Sequence, residues 1–215
     1  MIKIAPSILA ADNLNLQNEI IEVDKAGAEF IHIDVMDGNY VNNINFGPSI
    51  VKNIRKITNK TLDVHLMINS VAKHIDSFLD AGSDIISFHP EVDKESNKIF
   101  KKIKENKCKC GVAIHPDINI NEIKEFLIYA DQVIVMTVIP GFGGQKFMEN
   151  QLNKVIELLN IKKENNYNYE IEIDGGINRE TSKICINAGA NILVAGSYIY
   201  NESRENYKKM IDSIR

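Results

Sequence analysis

No stretch of this 215-residue chain approaches the ~18 consecutive apolar residues that a membrane-spanning helix requires. The first residues, Met1 to Pro6, lack the basic segment and long apolar run of a secretory signal, so a cytoplasmic protein without membrane association is expected. Cysteine is scarce. Cys108, Cys110 and Cys185 make three, an odd number with no second pair for a zinc cage or a disulfide framework. Neither sign of charge dominates: 25 Lys+Arg against 29 Asp+Glu leave a net −4, which argues against nucleic acid as the main partner. A small anion is still compatible with that total, because a binding site responds to its local field. No composition shift or linker divides the chain, and the 25 asparagines are dispersed at strand and helix periods rather than gathered into a low-complexity tract.

What is present is an ordinary globular composition, 44% hydrophobic and 25% charged. A chain of this size buries about 70% of the surface its unfolded form exposes, enough for one substantial core. Short apolar runs at 2–6, 30–34, 61–67, 84–89, 110–114, 132–138, 169–174 and 192–195 predict eight strands. Helical spacings separate them, as in Met148, Leu152, Val155, Ile156 and Leu159, or after Gly47-Pro48, where proline suits a first helical position ahead of Ile50, Val51 and Ile54. Ala26-Gly27-Ala28, Ala81-Gly82-Ser83 and Ala188-Gly189-Ala190 each precede an apolar run, as a helix C-terminus turning into a strand requires. Their separations, 55 residues from Gly27 to Gly82 and 107 from Gly82 to Gly189, are two and four units of about 27. Eight such strand–helix units fill residues 1–215. This even period, and the absence of an early Gly-x-Gly-x-x-Gly turn, favour an α/β fold in which a single domain closes into a (β/α)8 TIM barrel over an open doubly wound sheet.

Two strands carry chemistry on one parity. Ile31, Ile33 and Val35 alternate with His32, Asp34 and Met36, and Leu62, Val64 and Leu66 alternate with Asp63, His65 and Met67. The apolar parity suits the helix layer, so the His/Asp parity faces the barrel axis. Asp174, at the end of Ile171-Glu172-Ile173-Asp174, belongs to the same inward class. His32, Asp34, His65 and Asp174 thus converge on the face where barrels place their sites, and two imidazoles with two carboxylates suit a divalent metal. The bland alternative is a buried His–Asp hydrogen-bond network. His74 reads as a surface residue, and His89 and His115, each before a proline, read as packing groups or as partners of the ligands. Glycine gathers at three further strand ends, in Gly141-Phe142-Gly143-Gly144, Gly175-Gly176 and Gly196-Ser197, where backbone N–H groups are able to approach a phosphate. No arginine lies in these loops and Lys146 is the only lysine near them, so a backbone grip on the phosphate is expected. Met36, Met67 and Met136 read either as a polarisable, water-poor lid or as core filling.

Along nearly its full length the chain resembles the ribulose-phosphate 3-epimerase family. The resemblance rests on Ala5-Pro6-Ser7-Ile8-Leu9, His32-Ile33-Asp34-Val35-Met36-Asp37-Gly38, Phe46-Gly47-Pro48, Leu62-Asp63-Val64-His65-Leu66-Met67, Met136-Thr137-Val138, the run from Pro140 to Phe147, Asp174-Gly175-Gly176-Ile177 and Gly196-Ser197. It implies a barrel that inverts C3 of D-ribulose 5-phosphate to give D-xylulose 5-phosphate through an enediolate. It also implies one divalent metal per subunit (Zn²⁺, Fe²⁺, Mn²⁺ or Co²⁺) on His32, Asp34, His65 and Asp174, with Asp34 and Asp174 as the acid/base pair, and a homo-oligomer. Ser7 and His65 would touch the sugar phosphate; Gly141, Phe142, Gly143, Gly144, Gly175, Gly176, Gly196 and Ser197 would hold it toward its phosphate end. Inversion needs a proton taken from one face and another delivered to the opposite face, hence two carboxylates. Two departures stand out: Ile139 precedes the glycine run where an acidic residue is common, and Asn39-Tyr40-Val41-Asn42-Asn43 replaces the usual His-Phe-Val-Pro-Asn. Rival readings are an epimerase of a six-carbon ketose phosphate such as allulose 6-phosphate, a keto-sugar acid phosphate decarboxylase, and a barrel that binds sugar phosphates without catalysis. The decarboxylases carry an Asp-x-Lys pair, and Met36 stands where that lysine would be.

Overall fold

Alternating and fully apolar runs of four to eight residues become the strands of a closed barrel, in a computed structural model that describes residues 1–215. The parallel strands are β1 (Lys3–Pro6), β2 (Phe30–Asp37), β4 (Thr61–Met67), β5 (Ile85–Phe88), β6 (Lys109–Ile114), β7 (Gln132–Met136), β8 (Glu170–Asp174) and β9 (Ile192–Ala195). A two-residue β3 (Ile44–Asn45) folds back antiparallel on the end of β2. Around the cylinder the order is β1, β9, β8, β7, β6, β5, β4, β2, and a parallel bridge from Ser7 to His32 joins the β1 end to β2. All eight expected barrel strands form. Two keep the expected bounds, whereas β2 extends to Asp37 and β7 stops at Met136 rather than at residue 138.

The helices are α1 (Leu16–Lys25), α2 (Pro48–Arg55), α3 (Ile75–Asp80), α4 (Ser96–Glu105), α5 (Ile120–Ile123), α6 (Leu152–Asn165), α7 (Arg179–Ala188), α8 (Ser197–Tyr200) and α9 (Tyr207–Asp212). Pro48 opens α2 as expected. Gly27, Gly82 and Gly189 have φ of +94°, +92° and +112°, the left-handed conformation that ends a helix before the next strand. One helical face is out of phase with its sequence reading. In α6 the buried positions are Leu152, Val155, Leu158 and Ile161, while Ile156 is 53% exposed and Leu159 only partly covered. A step of three from Val155 keeps the stripe on the core side; Ile156 lies a further 100° round the helix.

The main core fills the space between strands and helices, with Ile31, Ile33, Val35, Leu62, Val64 and Leu66 facing outward into it. Inside the barrel the apolar side chains form three small groups, around Ala5 and Phe30, around Ala113 and Ile134, and around Met36 and Met67. The inward parity is otherwise polar. Because β2 and β4 pair in register, His32 lies beside Asp63, Asp34 beside His65, and Met36 beside Met67. A one-residue slip would send all of these to the helix layer.

Gly189 carries one checkable consequence of this architecture. A Cβ there would stand 2.5 Å from Leu159 Cδ1, and the residue's positive φ disfavours any L side chain. Gly189→Ala is expected to lower stability by about 1–2 kcal/mol, read as a shifted urea midpoint with an unchanged slope.

Candidate active site

His32, Asp34, His65 and Asp174 meet at the C-terminal end of the barrel, their ligand atoms all within 4.8 Å of one another. His32 Nε2 is 3.4 Å from Asp34 Oδ1 and 3.8 Å from Asp174 Oδ2; His65 Nδ1 is 3.4 and 3.6 Å from the same two oxygens. Both of these imidazole nitrogens are buried without a hydrogen-bond partner. Two lone pairs and two carboxylate oxygens directed at one point are the donor set of a divalent cation, so the residues fit the metal that the resemblance implies.

Each of the four residues is also held from outside the cluster. Asp63, wholly buried, takes His32 Nδ1 at 2.7 Å and receives Gln132 Nε2 at 3.0 Å on its other oxygen. His65 Nε2 meets His89 Nε2 at 3.0 Å. Ser7 Oγ donates to Asp34 Oδ2 at 2.6 Å, which leaves Oδ1 for the cluster. Asp174 is held through its main chain: Thr137 N donates to its carbonyl at 2.8 Å, and Thr137 Oγ1 lies 3.0 Å from that oxygen and 2.7 Å from the carbonyl of Gly175. Gly175 follows at φ +121°, where a Cβ would stand 2.5 Å from Val138, so only glycine lets the chain turn here. Such outer contacts fix the tautomer and orientation of ligands.

Burial disfavours charge on His32, but the Asp34 and Asp63 carboxylates outweigh it and lift its pKa well above the usual imidazole value. His65 is raised too, burial again being outweighed, by Asp174 and Asp34. Burial pushes Asp34 up, yet His32 and His65 prevail and hold it below the carboxylate range. Beneath the cluster, burial and the charge of Asp63 push the pKa of Glu172 well above the usual carboxylate range. Burial, with His65 adjacent, takes His89 down to about 4 and keeps it neutral.

Above the cluster opens a cavity of about 440 Å³. Every expected substrate contact lines it except His65, which is fully buried beneath: Ser7, Asp174, the 141–144 glycine run, Gly175, Gly176, Gly196 and Ser197. Asp34, Met36, Met67 and Met136 line it as well. No lysine or arginine does. The backbone N–H groups of Gly143, Gly144, Gly175, Gly176 and Gly196 find no acceptor within the chain. The glycine loop is braced, with Gln145 Nε2 on the carbonyls of Ile139 and Phe142 at 2.6 and 2.8 Å, and Asn43 Nδ2 on that of Gly141 at 2.8 Å. Ile139, the departure from the family pattern, is 47% exposed and joins these contacts through its main-chain carbonyl alone. His74 is on the surface, and His115 is half-buried beside Tyr40 and His89.

The sequence profile of the ribulose-phosphate 3 epimerase family matches residues 3–200. The chain belongs to that family. It is 47% identical to the ribulose-phosphate 3-epimerase of Bacillus subtilis (strain 168), with 100% of this chain and 99% of the relative covered. It is 37% identical to that of Escherichia coli (strain K12), covering 99% and 94%. Among solved structures it is similar to KGPDC from Streptococcus mutans, TM-score 0.72 at 16% identity, covering 100% and 95%. A mutant tryptophan synthase alpha-subunit from Pyrococcus furiosus gives 0.75 at 15%, covering 100% and 99%. At such identities these two structures speak for the barrel alone.

Sequence reasoning passed over Asp63, Gln132 and Glu172 as site components, although Asp63 and Glu172 stand two residues before His65 and Asp174 on the same parity. Metal binding has a predictable pH dependence. With pKa values raised above the unfolded 6.5, His32 and His65 stabilise the metal-free protein fully below that pH, and the contribution fades as pH rises through the folded values. Ligation needs both nitrogens deprotonated. The melting temperature of the chelator-treated protein is therefore expected to fall as pH rises above the unfolded value of 6.5, while the increment on adding Zn²⁺ grows over the same rise. An increment independent of pH would contradict the assignment.

Proposed function

We propose that the chain inverts C3 of D-ribulose 5-phosphate to D-xylulose 5-phosphate, with Asp34 and Asp174 transferring the protons. The observation that carries this is the pairing of two carboxylates at one cavity floor, Asp34 oriented by Ser7 and Asp174 anchored through its main chain by Thr137, with the unpartnered nitrogens of His32 and His65 between them. When held by these four residues, a divalent ion (Zn²⁺, Fe²⁺, Mn²⁺ or Co²⁺) supplies the Lewis acidity toward the C2 carbonyl that two weakly basic carboxylates need before either takes a proton from carbon.

Asp34, ionised and fixed through Oδ2 by Ser7, accepts or returns the C3 proton on one face. Asp174 serves the other; β1 and β9 separate the strands that carry the two, so they reach the cavity from different sides. Their acid and base roles exchange with the direction of reaction. Met36, Met67 and Met136, each at most 3% exposed, give the reacting carbons an apolar wall that keeps water from the enediolate. The phosphate is gripped by the free amides of the glycine loops, since no cationic side chain reaches the cavity.

The same absence removes the lysine that a keto-sugar acid decarboxylase of this fold would present, and Met36 occupies its place. A six-carbon ketose phosphate would meet the same carboxylates, but the curated relatives described above are ribulose-phosphate epimerases. A cytoplasmic homo-oligomer belongs to this reading, supported by the family and by three free, buried cysteines.

Proton NMR of D-ribulose 5-phosphate in D₂O tests the proposal. The metal-loaded protein should erase the C3 proton signal as xylulose 5-phosphate appears, and chelation should stop both. Asp34→Asn and Asp174→Asn, at verified metal loading, should each lower kcat by roughly 10²–10⁴-fold. A C3 proton untouched by metal-loaded wild type, or normal turnover in either variant, would sink the assignment.

A further inference from the structure

The two ligating histidines are held from behind by different means. His32 rests on the Asp63 carboxylate inside the barrel, whereas His65 rests on another imidazole, His89. A neutral imidazole has one N–H and one lone pair. For His65 to offer its lone pair at Nδ1, its hydrogen sits on Nε2; His89 then accepts at Nε2 and carries its own hydrogen on Nδ1. That nitrogen is buried with no hydrogen-bond partner, and Glu91 Oε1 stands 3.5 Å from it. The same oxygen accepts the hydroxyl of Tyr40 at 3.2 Å, while the Tyr40 ring lies on His89 with centroids 4.9 Å apart. Glu91 leads from the buried pair to solvent, its side chain 27% exposed. Tyr40 falls in the stretch that departs from the family pattern, where phenylalanine is usual, so its hydroxyl is a feature of this chain.

We propose that Glu91 is a positioning residue that acts through His89 to hold His65 in its metal-ligating tautomer, and that the Tyr40 hydroxyl weakens this hold by competing for the same carboxylate oxygen. The inference rests on the metal site proposed above. It differs from a packing role in the sign it demands: removing the carboxylate and removing its competitor shift metal affinity in opposite directions.

The experiment measures the Zn²⁺ dissociation constant of the full chain by chelator competition, and the visible absorption of the Co²⁺-loaded protein. Wild type, Glu91→Gln and Tyr40→Phe are compared, with metal-free melting temperatures as a check on folding. Glu91→Gln is expected to bind Zn²⁺ about tenfold more weakly, with an altered Co²⁺ spectrum. Tyr40→Phe is expected to bind it a few-fold more tightly, because Glu91 is freed to close on His89 Nδ1. Both substitutions change affinity in the same direction, or neither changes it, if the relay does not exist. Wild type that binds neither ion would overturn the metal site itself, an outcome distinct from failure of the relay.

Discussion

Two imidazoles and two carboxylates are confined to the mouth of a barrel whose interior is nearly dry, and most of the structure around the cavity answers to that constraint. Unpaired, such groups would each cost several kcal/mol. The in-register pairing of β2 with β4 is the first answer, because it sets His32 against Asp63 and Asp34 against His65 at two successive levels. The second is that three of the four have the outer edge of the side chain engaged, by Asp63 behind His32, His89 behind His65 and Ser7 behind Asp34, while Thr137 anchors the main chain of Asp174. What remains free points at one spot.

Stability is supplied elsewhere. The outward parity of the same strands, Ile31, Ile33, Val35, Leu62, Val64 and Leu66, packs against the helices in the main core. The barrel interior combines the buried polar side chains of His32, Asp63, Gln132 and Glu172 with the three small apolar groups. Burial and the neighbouring charge of Asp63 raise the Glu172 pKa well above the carboxylate range, which favours the neutral form of an acid placed under the site. Alternation with period two thus gives each strand one face for cohesion and one for chemistry.

That alternation is also why so much of the structure is legible in the sequence. The repeat of glycine-ended helices announced eight units, and the parity of His32, Asp34 and Asp63, His65 announced which face held the chemistry. Less accessible was whatever depends on contacts between distant segments. His89 was ambiguous because its partner, His65, lies across the β4–β5 pairing 24 residues away. Gln132 gave no sign of belonging to the site, since its link to Asp63 spans 69 residues. Ile156 failed for a local reason: apolar residues at both Val155 and Ile156 leave the helical phase open, and only the docked position of α6 selects Leu158 instead. The bracing of the glycine loop by Asn43 and Gln145 depends on side-chain hydrogen bonds to carbonyls that no spacing rule reveals.

The central claim is that one cation site, built by four side chains from β2, β4 and β8, organises the chemistry of this cavity. Anomalous diffraction from crystals of the Zn²⁺-loaded protein tests it most directly. The account predicts a single strong peak among His32 Nε2, Asp34 Oδ1, His65 Nδ1 and Asp174 Oδ2, with His32 still resting on Asp63 and His65 on His89. A peak on the deeper group of His32, Asp63 and Glu172, or none within reach of Asp34 and Asp174, would contradict it.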